Sequence, residues 1–151
     1  GIRDSVASRG LGDVYKRQYR QYSKWSINKE INTANAISHA ACAVSRSQRI
    51  GVLATMTHSG YTARMAARYR PASKIIALTP FKKTCRKLAI VWGVSSALVK
   101  DYKSADEIPE VANEELQKLG LIKKGESFVV TGGVPVGVSG TTNYLTVLMG
   151  S

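Results

Sequence analysis

An α/β fold is predicted here: a three-layer αβα sandwich around a five-stranded, mainly parallel sheet whose last strand is antiparallel. Three observations predict it. From residue 32 onward, short apolar runs alternate with amphipathic segments of about 10–15 residues, the spacing of βα units. One run, Ile75-Ile76-Ala77-Leu78, is continuously apolar, as in a strand covered on both faces. The last two runs have no helical segment between them, so the fifth strand turns back antiparallel at an edge.

Each element has its own signal. Asn32 or Thr33 can cap a first helix whose apolar face carries Ile37, Ala40, Ala41 and Val44, spaced at three and four. Ile50 to Met56 reads as a buried strand. A hydroxyl-rich turn, Thr57-His58-Ser59-Gly60-Tyr61-Thr62, leads into a second helix that runs to Tyr69 and is closed by Pro71. Lys74 to Leu78 is the second strand. Thr79-Pro80 offers a capping hydroxyl and a proline for the first position of a third helix. Its stripe is Cys85, Leu88, Ala89 and Trp92, with Gly93 as a left-handed stop.

Ser95 to Val99 is the third strand. Ser104-Ala105-Asp106-Glu107 forms a capping box for a fourth helix, with Ile108, Val111, Ala112, Leu116 and Leu119 inward and Gly120 at its end. Ser127 to Thr131 and Tyr144 to Leu148 are the last strands. Parallel strands joined by helices imply right-handed crossovers. Residues 1–18 mix Gly, Ser, Arg and Asp without periodicity and read as disordered or non-native sequence, resembling translated adaptor. Residues 19–31 read as a linker or the start of the first helix, and residues 32–151 as the α/β domain.

With 151 residues, 44% of them hydrophobic, the chain suits one domain with a proper core. Apolar runs stay below roughly 10 residues, too short for a membrane span, and no apolar signal-peptide region follows the first basic residues. Cys42 and Cys85 lack metal-type spacing and read as buried thiols of a cytoplasmic protein. The net charge of +12 is unevenly spread. Twelve Lys or Arg and one acid, Asp101, lie between Arg46 and Lys103; six acids against three lysines lie from Ser104 to Glu126. The basic residues fall on separate helices without the aromatic strand pattern of an RNA-binding sheet. An anionic small ligand or an acidic partner surface accounts for the balance as well as nucleic acid does.

The turn Thr57–Thr62 carries the main functional signal. The first amides of a helix lack internal partners and sit at the positive end of its dipole, so a hydroxyl-rich, Gly-containing turn there can cradle a phosphate. The pattern alone suits an ordinary helix start better, with Ser59 as the cap and Thr62 in the first turn. A second open segment, Gly132 to Thr142, has four glycines and Pro135 and allows close backbone approach; its plain alternative is an edge connection. His39 reads as structural. His58 could touch an anion, but no Cys or Asp pairs with it in the sequence to make a nucleophile–base set. Arg64 and Arg68 share a helix face and suit subunit contacts or solvent equally. Trp92 reads as core or interface.

Taken in order, the segments Ala36-Ile37-Ser38-His39-Ala40-Ala41, Ser59-Gly60-Tyr61-Thr62-Ala63-Arg64, Tyr69-Arg70-Pro71, Ile75-Ile76-Ala77-Leu78-Thr79-Pro80, Val91-Trp92-Gly93-Val94, Lys123-Lys124-Gly125 and Thr131 through Asn143 resemble the C-terminal domain of pyruvate kinase, in a bacterial form. The resemblance covers about Ala36 to Met149. It implies a regulatory and assembly domain of a glycolytic transferase that passes a phosphoryl group from phosphoenolpyruvate to ADP, giving pyruvate and ATP. In that family the chemistry, with Mg2+ and usually K+, belongs to a separate (β/α)8 barrel, and the enzyme is a homotetramer.

Motifs of that barrel, an Arg-Gly-Asp metal loop and a Lys-x-Glu-Asn run, do not occur in this sequence. The resemblance therefore implies no catalytic and no metal-binding residue here, and a fragment inert by itself. It also implies that Thr57, His58, Ser59, Gly60 and Thr62 hold the phosphate of an allosteric effector, with Gly137, Ser139, Gly140 and Thr141 in a loop that closes over it. Members that take fructose bisphosphate use a Trp and an Arg after the third strand for the second phosphate. That region here is Lys100-Asp101-Tyr102-Lys103-Ser104-Ala105-Asp106, so a monophosphate such as AMP or ribose 5-phosphate fits better, with Lys83, Arg86 or Lys103 as possible helpers. The alternatives from other classes are a free-standing phosphosugar-binding or isomerase-like module, and a basic nucleic-acid-binding protein.

Overall fold

The structure is a computed structural model and describes residues 32–151. The readings made above for residues 1–18 and 19–31 lie outside the described residues. The described chain runs α1 (Thr33–Ser47), β1 (Val52–Met56), α2 (Tyr61–Arg68), β2 (Lys74–Thr79), α3 (Lys82–Leu88), β3 (Val94–Leu98), a 3-10 turn (Ala105–Glu107), α4 (Ile108–Lys118), β4 (Ser127–Gly133) and β5 (Thr142–Met149). The five strands form one sheet in the order β3-β2-β1-β4-β5. The first four are mutually parallel and β5 runs antiparallel to β4, as the sequence pattern predicts.

Strand order fixes the layers. The chain moves outward from β1 to β2 to β3 through α2 and α3, then returns through α4 to pair β4 on the other side of β1. Right-handed crossovers in opposite directions place their helices on opposite faces. Accordingly Leu53, Ile75 and Val129 pack with Ala41 and Cys42 of α1 and Ala66 of α2, while Ala77 packs with Ala63 and Leu88. On the other face Ala54, Met56, Ile76, Leu78, Phe128 and Val130 pack against Ile108, Val111, Ala112 and Leu116 of α4. β1 and β2 alternate between the two cores residue by residue, which is why they read as continuous apolar runs. The charge reversal along the chain becomes spatial: exposed Arg64, Arg68, Lys82, Lys83, Arg86 and Lys87 lie on α2 and α3, and Glu110, Glu114 and Glu115 lie on α4 across the sheet.

Four details depart from the sequence reading. The buried face of α1 is Ala34, Asn35, Ser38, Ala41, Cys42 and Ser45, whereas Ile37, Ala40 and Val44 are only half-buried. Small side chains let this helix approach the sheet closely. Thr79 and Pro80 do not start α3: Thr79 pairs with Leu98 and remains in β2, and Phe81 occupies the cap position without a side-chain bond. The Thr79 hydroxyl instead accepts from the Phe81 amide at 3.3 Å. Of the α3 stripe only Leu88 is fully buried; the helix ends there, and Trp92 is 67% exposed beneath the Arg70 guanidinium, 5.0 Å from its ring centroid. Trp92 is thus not a core residue. Leu119 is also exposed, because it lies at the C-cap after the last inward turn.

Other predicted devices form as expected. Asn32 Oδ1 accepts from the Asn35 amide at 2.8 Å and caps α1. Both halves of the Ser104–Glu107 capping box are made. These bonds, led by the Lys103 amide and then the Ser104 hydroxyl, hold the Glu107 carboxyl below its ordinary range. Gly120 takes the left-handed conformation at the end of α4. Gly93 is left-handed too, but α3 has already ended at Leu88 with Ala89 as its C-cap, so Gly93 is not its stop. Both cysteines are free thiols; Cys42 is buried as expected, whereas Cys85 is only half-buried, on the solvent side of the short α3. The His39 ring packs at 5.0 Å from that of Tyr69, a structural contact.

Candidate functional site

Parallel sheets concentrate binding at the carboxyl ends of strands, where two crossovers leave in opposite directions. In this sheet that switch point lies between β1, whose chain continues toward β2, and β4, reached from the far side. The turn after β1 is Thr57–Gly60; the loop after β4 runs from residue 134 to 141. The two meet around a cavity of about 20 Å³, lined among others by Thr57, His58, Ser59, Thr62, Gly137, Ser139, Gly140 and Thr141. Eight of the nine positions proposed from the sequence therefore converge. Gly60 does not line the cavity; it shapes the turn.

The turn is organised by its own hydroxyls. Thr57 Oγ1 accepts from the Gly60 amide at 2.8 Å, and Ser59 Oγ accepts from the Tyr61 amide at 3.4 Å. Gly60 has φ +85°, and a Cβ there would lie 3.1 Å from Leu88 Cδ2, so both conformation and space call for glycine. The Thr84 hydroxyl donates to the His58 carbonyl at 2.6 Å and ties the turn to α3. The loop is braced at its base: Asn143 accepts from the Val134 amide at 2.8 Å and donates to its carbonyl at 2.6 Å.

Turn and loop are also joined to each other. Ser139 Oγ donates to Ser59 Oγ at 2.9 Å, and the Thr62 and Thr142 hydroxyls lie 2.8 Å apart. The hydroxyls that could surround an anion thus bond one another across a space with room for about one water. An anion of phosphate size enters only if the loop moves outward and exchanges these bonds for bonds to the ligand.

Six lining residues were not among the site positions proposed from the sequence, Met56, Tyr61, Tyr102, Gly133, Val138 and Thr142, and two of them are informative. Thr142 opens β5, and Tyr102 follows β3. The signal for Tyr102 is its position just past the end of a parallel strand, where sites of this fold gather. Burial, and then the neighbouring Asp101 carboxylate, push the Tyr102 hydroxyl well above the ordinary phenol range. The fold also gives His58 an acidic neighbour that the sequence does not reveal: Asp101 Oδ1 lies 3.9 Å from its Nε2. That is an ion-pair distance for a protonated imidazole and longer than the hydrogen bond of a base and its orienting group. Lys83, Arg86 and Lys103 do not line the cavity. Arg64 and Arg68 are both exposed on α2.

Among the described residues no three His, Cys, Asp or Glu side chains come together as a metal site. No described helix is long and apolar enough to cross a membrane.

Fold and site together define a doubly wound α/β domain with a hydroxyl-lined cleft at its switch point. The family model described as pyruvate kinase, alpha/beta domain, matches residues 35–148, and the chain belongs to that family. The pyruvate kinase of Clostridium acetobutylicum is 38% identical over 120 residues, covering 80% of this chain and 25% of that protein. That of Lactobacillus delbrueckii subsp. bulgaricus is 38% identical over 117 residues, covering 78% of this chain and 20% of that protein. This chain therefore spans a quarter or less of these relatives. A Cryptosporidium parvum pyruvate kinase solved in complex with ADP superposes with a TM-score of 0.77 at 24% identity, over 91% of this chain and 27% of that one, a likeness of fold.

Proposed function

We propose that this chain is the regulatory and assembly part of a bacterial-type pyruvate kinase, binding a phosphorylated effector between the Thr57–Thr62 turn and the Gly137–Thr141 loop. The observation that carries the reading is the convergence of Thr57, Ser59 and Thr62 with Ser139 and Thr141 on one cavity at the switch point of the sheet. Hydroxyls and helix-start amides together suit one phosphate. The Ser59–Ser139 bond gives the loop a closed state without ligand, and an effector that binds the open state better shifts that balance.

In this reading phosphoryl transfer from phosphoenolpyruvate to ADP, with its Mg2+ and K+, belongs to a barrel domain outside the chain. The whole enzyme is cytoplasmic and homotetrameric, and the chain alone turns over no phosphoenolpyruvate. Allostery needs a second site and two global states, so the isolated chain binds but does not regulate.

Calorimetry on the 151-residue chain with ribose 5-phosphate tests the site. Saturable binding that disappears in the Thr57→Ala, Ser59→Ala double variant, with thermal unfolding still cooperative, supports it. Absence of heat with ribose 5-phosphate and AMP alike refutes it. If the chain instead binds oligonucleotides with a steep linear fall of log affinity against log salt, the basic faces serve nucleic acid and the effector reading fails.

A further inference from the structure

A second, roomier cavity lies at the other edge of the sheet. It measures about 500 Å³, is open to solvent, and sits at the amino ends of β1, β2 and β4, whereas the Thr57–Thr62 turn follows the carboxyl end of β1. Its floor is apolar: Ile50, Val52 and Ile122 line it and are buried. Its charged lining residues, Arg49, Lys74 and Glu126, are exposed. Lys74 pairs in register with Val52, and its amide donates to the Gly51 carbonyl at 2.8 Å, so its side chain leaves the sheet on the same face as that of Val52.

Charge at this rim is unbalanced. Among the described residues neither Arg49 nor Lys74 has an acidic partner. Glu126 is committed to its own turn, where Oε2 accepts from the Lys123 amide at 2.8 Å. Two cations and one carboxylate leave the rim one net positive charge, which suits a monoanion better than a phosphate dianion. A guanidinium takes a carboxylate through two parallel hydrogen bonds, and an apolar floor with a few polar groups above it suits an organic ligand.

The backbone at Arg49 adds a second observation. The amide of Ile50 donates to the Ser45 carbonyl at 2.7 Å and that of Arg49 to the Arg46 carbonyl at 3.2 Å, the paired bonds that end a helix through one left-handed residue. That residue is Arg49, at φ +54°, in a place where glycine carries no strain. An arginine is thus held at a cost in stability, and its side chain lines the cavity. Strain kept at a lining residue is a mark of function.

We propose that this cavity is a second ligand site, for a small organic acid whose carboxylate lies between Arg49 and Lys74 and whose apolar body rests on Ile50, Val52 and Ile122. It shares no residue with the Thr57–Thr62 turn or the Gly137–Thr141 loop and stands or falls apart from them.

Amide NMR of the 151-residue chain titrated with hexanoate, hexanamide, acetate and inorganic phosphate tests it, on the parent, Arg49→Gln, Lys74→Gln and Arg49→Gly. Hexanoate is expected to bind saturably with a Kd of about 1 mM, shifting amides at Arg49, Ile50, Val52 and Ile122 and sparing Thr57–Thr62. Hexanamide keeps the body without the charge, and acetate the charge without the body; each is expected to bind at least about fivefold more weakly. Arg49→Gln and Lys74→Gln should each weaken hexanoate about fivefold. Arg49→Gly should weaken it as much while raising the urea midpoint, because the strain is relieved. Hexanoate bound equally by the parent and Arg49→Gln, or hexanamide bound as well as hexanoate, would overturn the carboxylate assignment. Inorganic phosphate bound more tightly than hexanoate, or shifts confined to the Thr57–Thr62 turn, would overturn it too. A lower urea midpoint in Arg49→Gly would refute the claim that Arg49 is held at a cost, and the absence of any saturable shift with hexanoate refutes the site.

Discussion

Replacing Gly60 by alanine tests the geometry on which the whole site depends. Two separate penalties apply. Gly60 sits at φ +85°, and holding an L-residue in the left-handed region costs about 1–2 kcal/mol. The new Cβ would also lie 3.1 Å from Leu88 Cδ2 and 3.3 Å from Leu88 Cγ. Leu88 is fully buried between α2 and β2 and has little room to yield. Overpacking of that kind costs a further ~1–3 kcal/mol.

Gly93 provides the control. Its φ is +74°, but nothing lies within 4 Å of a Cβ placed there, so Gly93→Ala should cost the backbone part alone, about 1–2 kcal/mol. Urea unfolding measures both. With a slope of about 1–3 kcal/mol per molar, the Gly60→Ala midpoint should fall by about 1 M or more, clearly further than that of Gly93→Ala. A double variant separates the two terms. Leu88→Ala alone should cost about 3 kcal/mol through its cavity. The combination with Gly60→Ala should cost less than the sum, because the new methyl enters space that Leu88 vacates. Equal midpoints for Gly60→Ala and Gly93→Ala, or strict additivity with Leu88→Ala, would refute the claim that Leu88 packs against the turn.

Four further outcomes follow from individual side chains. Burial pushes the Cys42 thiol up to about 12 from 9.0. The unfolded thiol ionises first, so stability is whole below pH 9 and falls by about 1.4 kcal/mol per pH unit from there toward pH 12; Cys42→Ala should flatten that part of the stability–pH curve. In the native chain at pH 8 a thiol reagent should therefore modify half-buried Cys85 and spare Cys42 until urea is added. Thr142→Val strands the buried Thr62 hydroxyl, since the two lie 2.8 Å apart, and should cost about 1–3 kcal/mol by thermal or urea unfolding. The paired Thr62→Val, Thr142→Val variant should be less damaged. Among the described residues, Ser38 has the one buried side-chain oxygen without a hydrogen-bond partner, so Ser38→Ala should be neutral or stabilise by up to about 1 kcal/mol; a loss of stability would show that its oxygen has a partner.

Legibility varied with the range of the interaction. Local signals read well: the Asn32 cap, the Ser104–Glu107 box, and the glycine that ends α4 all involve residues within a few positions of each other. The faces of helices read less well. The pattern of α1 drew attention to Ile37 and Val44, but the tight approach of α1 to the sheet buries its small residues Ala34, Ser38 and Ala41. Thr79-Pro80 has the composition of a helix start, yet pairing with β3 keeps Thr79 in the sheet. Trp92 looked like core because its spacing extends the α3 stripe, but the helix stops at Leu88.

By itself, the sequence determined the order and type of the elements, the antiparallel return of the last strand, the family, and the two loops that form the cleft. Such features are encoded by periodicity and by residues whose local conformation is restricted. The tertiary structure decided what faces what. Only the strand order β3-β2-β1-β4-β5 puts the Thr57–Thr62 turn against a loop some 75–80 residues away, so that Ser59 meets Ser139 and Thr62 meets Thr142. The same order gathers His58, Phe81, Asp101 and Tyr102 from three successive strand ends. No spacing along the chain specifies those contacts, because they arise from crossovers that bring distant strand termini to one edge of the sheet.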